Sequence, residues 1–126
     1  MTTLRNWPSY DVGSWSLTTD FPPCPVAAEE PLVPIMSRLD MVREAQVTGV
    51  AFGEFWDDTV RAGAAYFFSW LKEPRSTVLT ILDGSHLTHC ECRTRGDRRL
   101  AADESLPIMT EVKRLFERAG YAVRLE

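Results

Sequence analysis

The fold is decided by residues 64–93, AAYFFSWLKEPRSTVLTILDGSHLTHCECR. Three segments within this stretch are rich in aromatic and β-branched residues, which favour strands. The segments are residues 64–71, 76–82 and 85–93. Pro74 lies in the turn between the first two segments, and Asp83-Gly84 between the last two suits a two-residue type I′ turn. The stretch therefore predicts an antiparallel meander of three strands.

Two helices are predicted before the meander. Ser37 is followed three residues later by Asp40, which resembles a capping box, and Gly49 is placed to end this helix. Leu39, Val42 and Gln46 are expected to share one of its faces. A second helix is predicted over residues 52–62 from an apolar stripe at helical spacing, with Gly63 as the residue after its C-terminus. The stripe consists of Phe52, Phe55, Trp56, Thr59 and Val60.

A polar, exposed loop is predicted over residues 93–105, and a third helix after it. Ser105 is placed to cap this helix, with Pro107 in its first turn and Gly120 at its end. A short final strand fits the alternation of residues 121–125. The apolar stripe of the third helix is expected to consist of Ile108, Val112, Leu115, Phe116 and Ala119.

The predicted fold is one α+β domain, with a three- to five-stranded antiparallel sheet and its helices packed on one face. Residues 1–36 are rich in proline and aromatic residues, which disfavours helix. They are interpreted as an N-terminal arm packed on a core of residues 37–126. A short strand at residues 15–18 is the one regular element expected in the arm.

Composition narrows the class of protein. The 126 residues are 44% hydrophobic and 25% charged, which fits one globular domain. No apolar run approaches the roughly 20 residues of a membrane span, and the N-terminus has no apolar core of a secretory signal. Three cysteines argue against a disulfide framework and favour reduced thiols in the cytoplasm. The net charge of −4 excludes the global positive field of a general nucleic-acid binder.

The order of several short elements between Phe21 and Glu117 resembles the PcfJ-like family of conjugative plasmids, phages and related mobile elements. The resemblance covers about three-quarters of the chain. It depends on a proline-rich start, a helix element, a Val-x-x-Gly, an aromatic strand and an arginine–threonine strand. In this sequence these are Phe21-Pro22-Pro23-Cys24-Pro25, Val42-Arg43-Glu44-Ala45, Val60-Arg61-Ala62-Gly63, Tyr66-Phe67-Phe68-Ser69-Trp70 and Glu73-Pro74-Arg75-Ser76-Thr77-Val78-Leu79.

The chain departs from the family pattern at the positions that would be expected to carry a function in the family. Val50-Ala51 stands where the family has His-Cys, Phe55 replaces its tyrosine, and its late asparagine is absent near residues 97–99. The resemblance therefore implies a degenerate, non-catalytic member from a mobile element or phage.

Both histidines and two cysteines are concentrated in residues 86–92. On a straight strand, His86, Cys90 and Cys92 would share one face and His89 the other. A zinc site would need these three ligands to converge, with Cys24 as an outside partner. The preferred interpretation is that the cysteines fill the core and that the chain binds no metal or cofactor. A Cys–His nucleophile is the second alternative, although no third, orienting group is evident.

Charged residues suggest one contact surface. Arg93, Arg95, Arg98 and Arg99 form a local basic cluster that could contact a partner or nucleic acid, and a solvated loop is the alternative. The adjacent acidic residues of the chain are expected to lie on solvated faces. They are Glu29-Glu30, Asp57-Asp58 and Asp103-Glu104.

These observations predict a non-catalytic interaction protein of a mobile element or phage that binds a protein or ribonucleoprotein partner. An inhibitor of a host defence complex, such as an anti-CRISPR protein, is a specific version, because an acidic surface can mimic nucleic acid. A cysteine- or metal-dependent hydrolase and a nucleic-acid-binding module using the arginine cluster are the alternatives. No membrane partner is expected.

Overall fold

The computed structural model describes residues 21–50 and 62–125. Nine elements follow one another within these described residues: β1 (Leu32–Pro34), α1 (Arg38–Thr48), β2 (Ala65–Trp70), β3 (Ser76–Asp83), β4 (His86–Thr94), a 3₁₀ turn (Arg95–Asp97), β5 (Arg98–Arg99), α2 (Ala102–Arg118) and β6 (Ala122–Val123). The strand predicted at residues 15–18, and the helix predicted over 52–62 apart from Ala62, lie outside the described residues. The α+β class is confirmed.

The predicted meander forms the centre of the sheet. β2 pairs with β3 and β3 with β4, all antiparallel, and β1 adds an antiparallel strand beside β2. At the β3–β4 hairpin, Asp83 pairs with His86, so the two loop residues are Gly84 and Ser85. Gly84 has a φ of +61°, whereas Ser85 does not have a positive φ. This is the pattern of a type II′ turn, one residue later than the predicted type I′ turn.

The sheet is mixed, because β6 pairs with β4 in parallel, whereas a purely antiparallel sheet was predicted. Hydrogen bonds made by the residues that follow α2 explain why β6 runs parallel to β4. The backbone N–H of Ala122 donates to the carbonyl of Ser85, and that of Arg124 donates to the carbonyl of Leu87. The helix between β5 and β6 carries the chain back along the sheet, so that β6 runs beside β4 in the same direction.

The residues predicted as a loop, 93–105, contain a strand and the start of a helix. Gly96 and Asp97 both have a positive φ, of 74° and 61°, and this pair turns the chain back so that β5 pairs with the end of β4. α2 begins at Ala102 instead of after Ser105. The side chain of Glu104 accepts a bond from the N–H of Ala101 and so occupies the helix N-terminus in place of a serine hydroxyl.

α1 and α2 lie on opposite faces of the sheet, and the expectation that all helices pack on one face is wrong. Phe67 and Phe68 are neighbours on β2 and therefore point to opposite faces. Phe67 belongs to the apolar cluster of α1, together with Met41, Val42 and Ala45. Phe68 belongs to the cluster of α2, which includes the predicted stripe residues Ile108, Val112, Leu115 and Phe116.

α1 is bounded as predicted but buries different residues. The Ser37 hydroxyl accepts a bond from the N–H of Asp40 at 3.1 Å, and Gly49 ends the helix in the left-handed conformation. The buried face includes Met41, Val42 and Ala45, whereas Gln46 is exposed. It also buries the charged side chains of Arg38 and Glu44, so this helix depends on polar as well as apolar contacts.

Among the described residues, no helix combines the length and the apolar composition that crossing a bilayer requires.

Candidate functional site

The buried carboxylate of Glu44 joins α1 to the sheet through hydrogen bonds. Glu44 accepts two bonds from the Arg75 guanidinium, at 2.9 and 2.7 Å. The hydroxyls of Ser69 and Thr77 each donate to one of its carboxylate oxygens at 2.7 Å. These partners come from β2, β3 and the turn between them. Each carboxylate oxygen therefore has two donors, and we call these four residues the Glu44 cluster.

The Glu44 cluster brings together sequence elements that the family resemblance depended on. Glu44 belongs to the helix element, whereas Arg75 and Thr77 belong to the arginine–threonine element. Thr48 continues the network, with its hydroxyl 3.1 Å from that of Thr77. The Thr48 hydroxyl also accepts a bond from the N–H of Val50. Because its oxygens are fully occupied by donors, the Glu44 carboxylate stabilises the fold and is not available to a substrate.

The cysteines of β4 face the apolar cluster of α2, and His86 does not join them. The register of β3 and β4 shifts between Ile81 and Leu82, which places Leu87 in the same cluster as Cys90 and Cys92. His86 precedes Leu87 on the strand and therefore points to the opposite face. The expectation that His86 shares a face with the two cysteines is wrong because of this bulge.

The environment of Cys90 opposes a role as a nucleophile. The hydrogen bond with the side chain of Cys92, together with burial, raises the pKa of the Cys90 thiol well above its ordinary value. Burial also raises the pKa of Cys24. Thiols in such surroundings stay protonated at neutral pH, whereas a nucleophilic cysteine reacts as the thiolate. Within residues 21–50 and 62–125, no three His, Cys, Asp or Glu side chains are grouped so that they could hold a metal ion.

Internal carboxylates neutralise most of the arginine cluster. Arg93 contacts Glu91 and Asp97, Arg98 contacts Glu104, and Arg99 contacts Glu91. Burial acts to raise the pKa of Glu91, but bonds from Arg93 and His89 and the charge of Arg99 lower it overall. Arg95 is exposed and has no ion pair with another described residue. The structure thus brings the four predicted arginines to one end of β4, where three already have anionic partners.

One cavity that could receive a ligand is a groove of about 970 Å³ between the N-terminal half of α2 and the β2–β3 turn. This volume is at the upper end of the range typical of binding pockets. The exposed Leu106 provides a large apolar side chain, and Pro31, Pro74, Pro107 and the largely buried Trp70 also line the groove. The remaining lining residues are Glu29, Glu30, Lys72, Glu73, Asp103, Glu104, Thr110, Glu111 and Arg114. We call this cavity the acidic groove.

Ion pairs fix one end of the acidic groove. Glu29 accepts bonds from Arg114 and Arg118 of α2, and Arg114 also contacts Glu111 one turn earlier. The bonds from Arg114 and Arg118 lower the pKa of Glu29. These contacts join the segment before β1 to α2 at one end of the groove.

Other carboxylates of the acidic groove have no such partner. Glu30, Glu73 and Asp103 are exposed, and no ion pair joins them to any residue in the described part of the chain. Pro107 has no N–H, so the carbonyl of Asp103 does not receive the bond that the fourth following residue normally gives in a helix. The groove therefore presents hydrogen-bond acceptors from its walls and apolar surface from Leu106.

Sequence reasoning missed the acidic groove, although part of the signal was visible. The acidic pairs Glu29-Glu30 and Asp103-Glu104 were interpreted as solvated faces. Neighbouring acids do not converge on one point, but the two pairs lie more than 70 residues apart and meet across the groove. Only the packing of α2 beside β1 and β2 brings them together.

A scan against protein-family models finds no match for the chain, and neither curated proteins nor solved structures give one.

Proposed function

We propose that this chain is a non-catalytic interaction protein and that it binds a protein partner through the acidic groove. The supporting observation is the combination of an open groove of about 970 Å³ with an exposed apolar anchor, Leu106, which is 64% exposed. Protein interfaces typically combine a few large apolar or aromatic side chains with a polar rim. Leu106 would supply the apolar anchor, and the surrounding carboxylates would supply the polar rim.

The two alternatives have weaker support. A cysteine-dependent hydrolase needs an activated thiol, whereas the raised pKa of Cys90 favours the protonated form. A nucleic-acid module needs available cations, whereas Arg93, Arg98 and Arg99 already contact carboxylates. The setting on a mobile element or phage, and inhibition of a host defence complex, stay predictions of the PcfJ-like resemblance, and the cytoplasmic location stays a prediction of the cysteine content.

Affinity capture with matched variants tests the proposal. Wild type, Leu106→Arg and Val47→Arg would each be used to capture proteins from a lysate of the native source, with identification by mass spectrometry. Val47 is 48% exposed on α1 and serves as the control, because its substitution adds the same charge on the other face of the sheet. We expect a partner that binds wild type and Val47→Arg and is lost with Leu106→Arg. Identical captures by all three proteins would contradict the proposal.

A further inference from the structure

We infer that the segment bound in the acidic groove is a basic stretch of another protein, with lysine or arginine side chains around one apolar side chain. This inference rests on the proposed function, since it names the chemistry of the partner for the same groove. It depends on the balance of charge along the walls, on the position of the unpaired carboxylates and on the place of Leu106 among them.

The acidic groove carries an excess of negative charge. Six carboxylates line it, and the only cations among its lining residues are Lys72 and Arg114. Arg98 and Arg118, which contact Glu104 and Glu29 from outside the lining, reduce the excess of negative charge from four to two. A negative groove attracts basic segments and disfavours acidic ones, which sets specificity and the rate of association.

The unpaired carboxylates lie where a bound segment would pass. Glu30 and Glu73 belong to the wall formed by the β1 and β2–β3 segments, and Asp103 belongs to the first turn of α2. A segment between these walls could direct basic side chains to both sides. Carboxylates bind guanidinium groups through two parallel hydrogen bonds, so arginine is especially well suited to these positions.

Leu106 adds a second requirement for the bound segment, which is an apolar side chain among its basic ones. It lies on α2 one turn after Asp103 and supplies exposed apolar surface between the carboxylates. An apolar side chain of the partner placed there would exclude water from the neighbouring charge pairs, which strengthens them. Negative charge alone would attract any polycation. Carboxylates placed around an apolar side chain instead select a segment whose basic and apolar residues have a matching spacing.

The other segments of this chain do not have the required charge. Residues 1–20 contain one basic side chain, Arg5, and two acidic ones, Asp11 and Asp20. Residues 51–61 contain Arg61 and three carboxylates, Glu54, Asp57 and Asp58. With a net charge of −4, a second copy of the chain also fails to complement the groove. A basic segment of a different protein is therefore the occupant that charge favours.

Synthetic peptides test the inference directly. The probes are fluorescein-labelled peptides of about ten residues, which span about 33 Å when extended. The first carries alternating lysine and arginine around a central leucine, the second replaces every basic residue with glutamate, and the third replaces the leucine with glycine. We expect the first to bind wild type at least about tenfold more tightly than the second, and to weaken as salt is raised. The third should bind more weakly than the first.

Two charge-matched variants locate the binding. Glu30→Gln with Glu73→Gln removes two groove carboxylates, and Asp83→Asn with Glu117→Gln removes two exposed carboxylates elsewhere. We expect the groove variant to weaken binding of the first peptide by about five- to tenfold and the control to change it by less than about twofold. Thermal melts by circular dichroism would show that both variants keep the fold.

The outcomes separate this inference from the proposed function. Equal weakening by both variants, equal binding of the acidic and basic peptides, or no binding of the basic peptide would each overturn the inference. If capture still depends on Leu106 in any of these cases, the chain binds a partner of different chemistry in the groove. If capture does not depend on Leu106, the proposed function itself is wrong.

Discussion

α1 and α2 lie on opposite faces of one sheet and are attached by different kinds of contact. α2 buries an uninterrupted apolar stripe that includes Ile108, Val112 and Phe116. α1 buries Met41, Val42 and Ala45, but it also depends on Glu44, whose carboxylate is enclosed by donors from the sheet. The comparison shows that carboxylates have two opposite uses in this molecule. The Glu44 carboxylate is saturated and structural, whereas Glu30, Glu73 and Asp103 of the acidic groove are exposed and form no ion pair with another described residue.

The largest loss of stability is expected on the apolar face. Phe116 is fully buried and contacts the rings of Phe68 and Tyr121 edge to face, at centroid distances of 6.0 and 5.6 Å. Phe116→Ala should lower the free energy of unfolding by about 3–5 kcal/mol, because it leaves a cavity and removes the ring contacts. Urea denaturation measures this change. A loss below about 1 kcal/mol would show that α2 is not held by its apolar stripe.

The next largest effect is expected on the polar face. Glu44→Ala leaves the Arg75 guanidinium in the interface without its carboxylate, which should lower the free energy of unfolding by about 3 kcal/mol. Arg75→Met combined with Glu44→Met should recover part of this loss, because the double variant leaves no unpaired charge. Glu117→Ala, at an exposed position of α2, is the control and should change stability by less than about 0.5 kcal/mol. Failure of the double variant to recover stability would contradict the assigned role of the ion pair.

A smaller, pH-dependent effect is expected for the ion pairs of Glu29. Bonds from Arg114 and Arg118 lower its pKa in the folded state, so its contribution is present above the unfolded pKa and is lost as pH falls through the folded pKa. Glu29→Gln should therefore be less stable than wild type at neutral pH, and the difference should close below about pH 4. Denaturation of both proteins at several pH values measures this. A constant difference across that range would contradict the assignment.

The smallest effect on stability is expected at the proposed binding surface. Leu106 is largely exposed, so Leu106→Arg should change the free energy of unfolding by no more than about 0.5 kcal/mol while abolishing partner binding. Thermal melts and capture, made on the same preparation, test both parts. A large loss of stability would mean that Leu106 belongs to the fold rather than to a binding surface.

Local sequence signals predicted much of the fold. The strands of the meander, the capping of α1 by Ser37 and Gly49, and four buried residues of the α2 stripe were all evident from short-range patterns. The start of α2 was missed because the side chain of Glu104 replaces a serine cap. β5 was missed because two consecutive left-handed residues, Gly96 and Asp97, turn a polar segment back onto β4.

The candidate sites were harder to predict from sequence. The arginine cluster was identified by its residues, but its neutralisation by Glu91, Asp97 and Glu104 depends on how β4, β5 and α2 meet. His86 was placed with the cysteines because a straight strand was assumed, and a single bulge reversed its direction. Glu44 carried no visible sign of burial, since its partners Ser69, Arg75 and Thr77 lie at least 25 residues further along the chain.

The sequence by itself determined the three-stranded meander, the ends of α1 and the buried stripe of α2, because each depends on backbone preferences and side-chain periodicity within a few residues. Only the tertiary structure decided which face each helix covers, which carboxylate is saturated and which carboxylates share a groove. Those outcomes depend on distances between segments far apart in the chain. The sequence shows only that a residue is acidic, whereas the residues packed around it decide whether its carboxylate stabilises the fold or faces a partner.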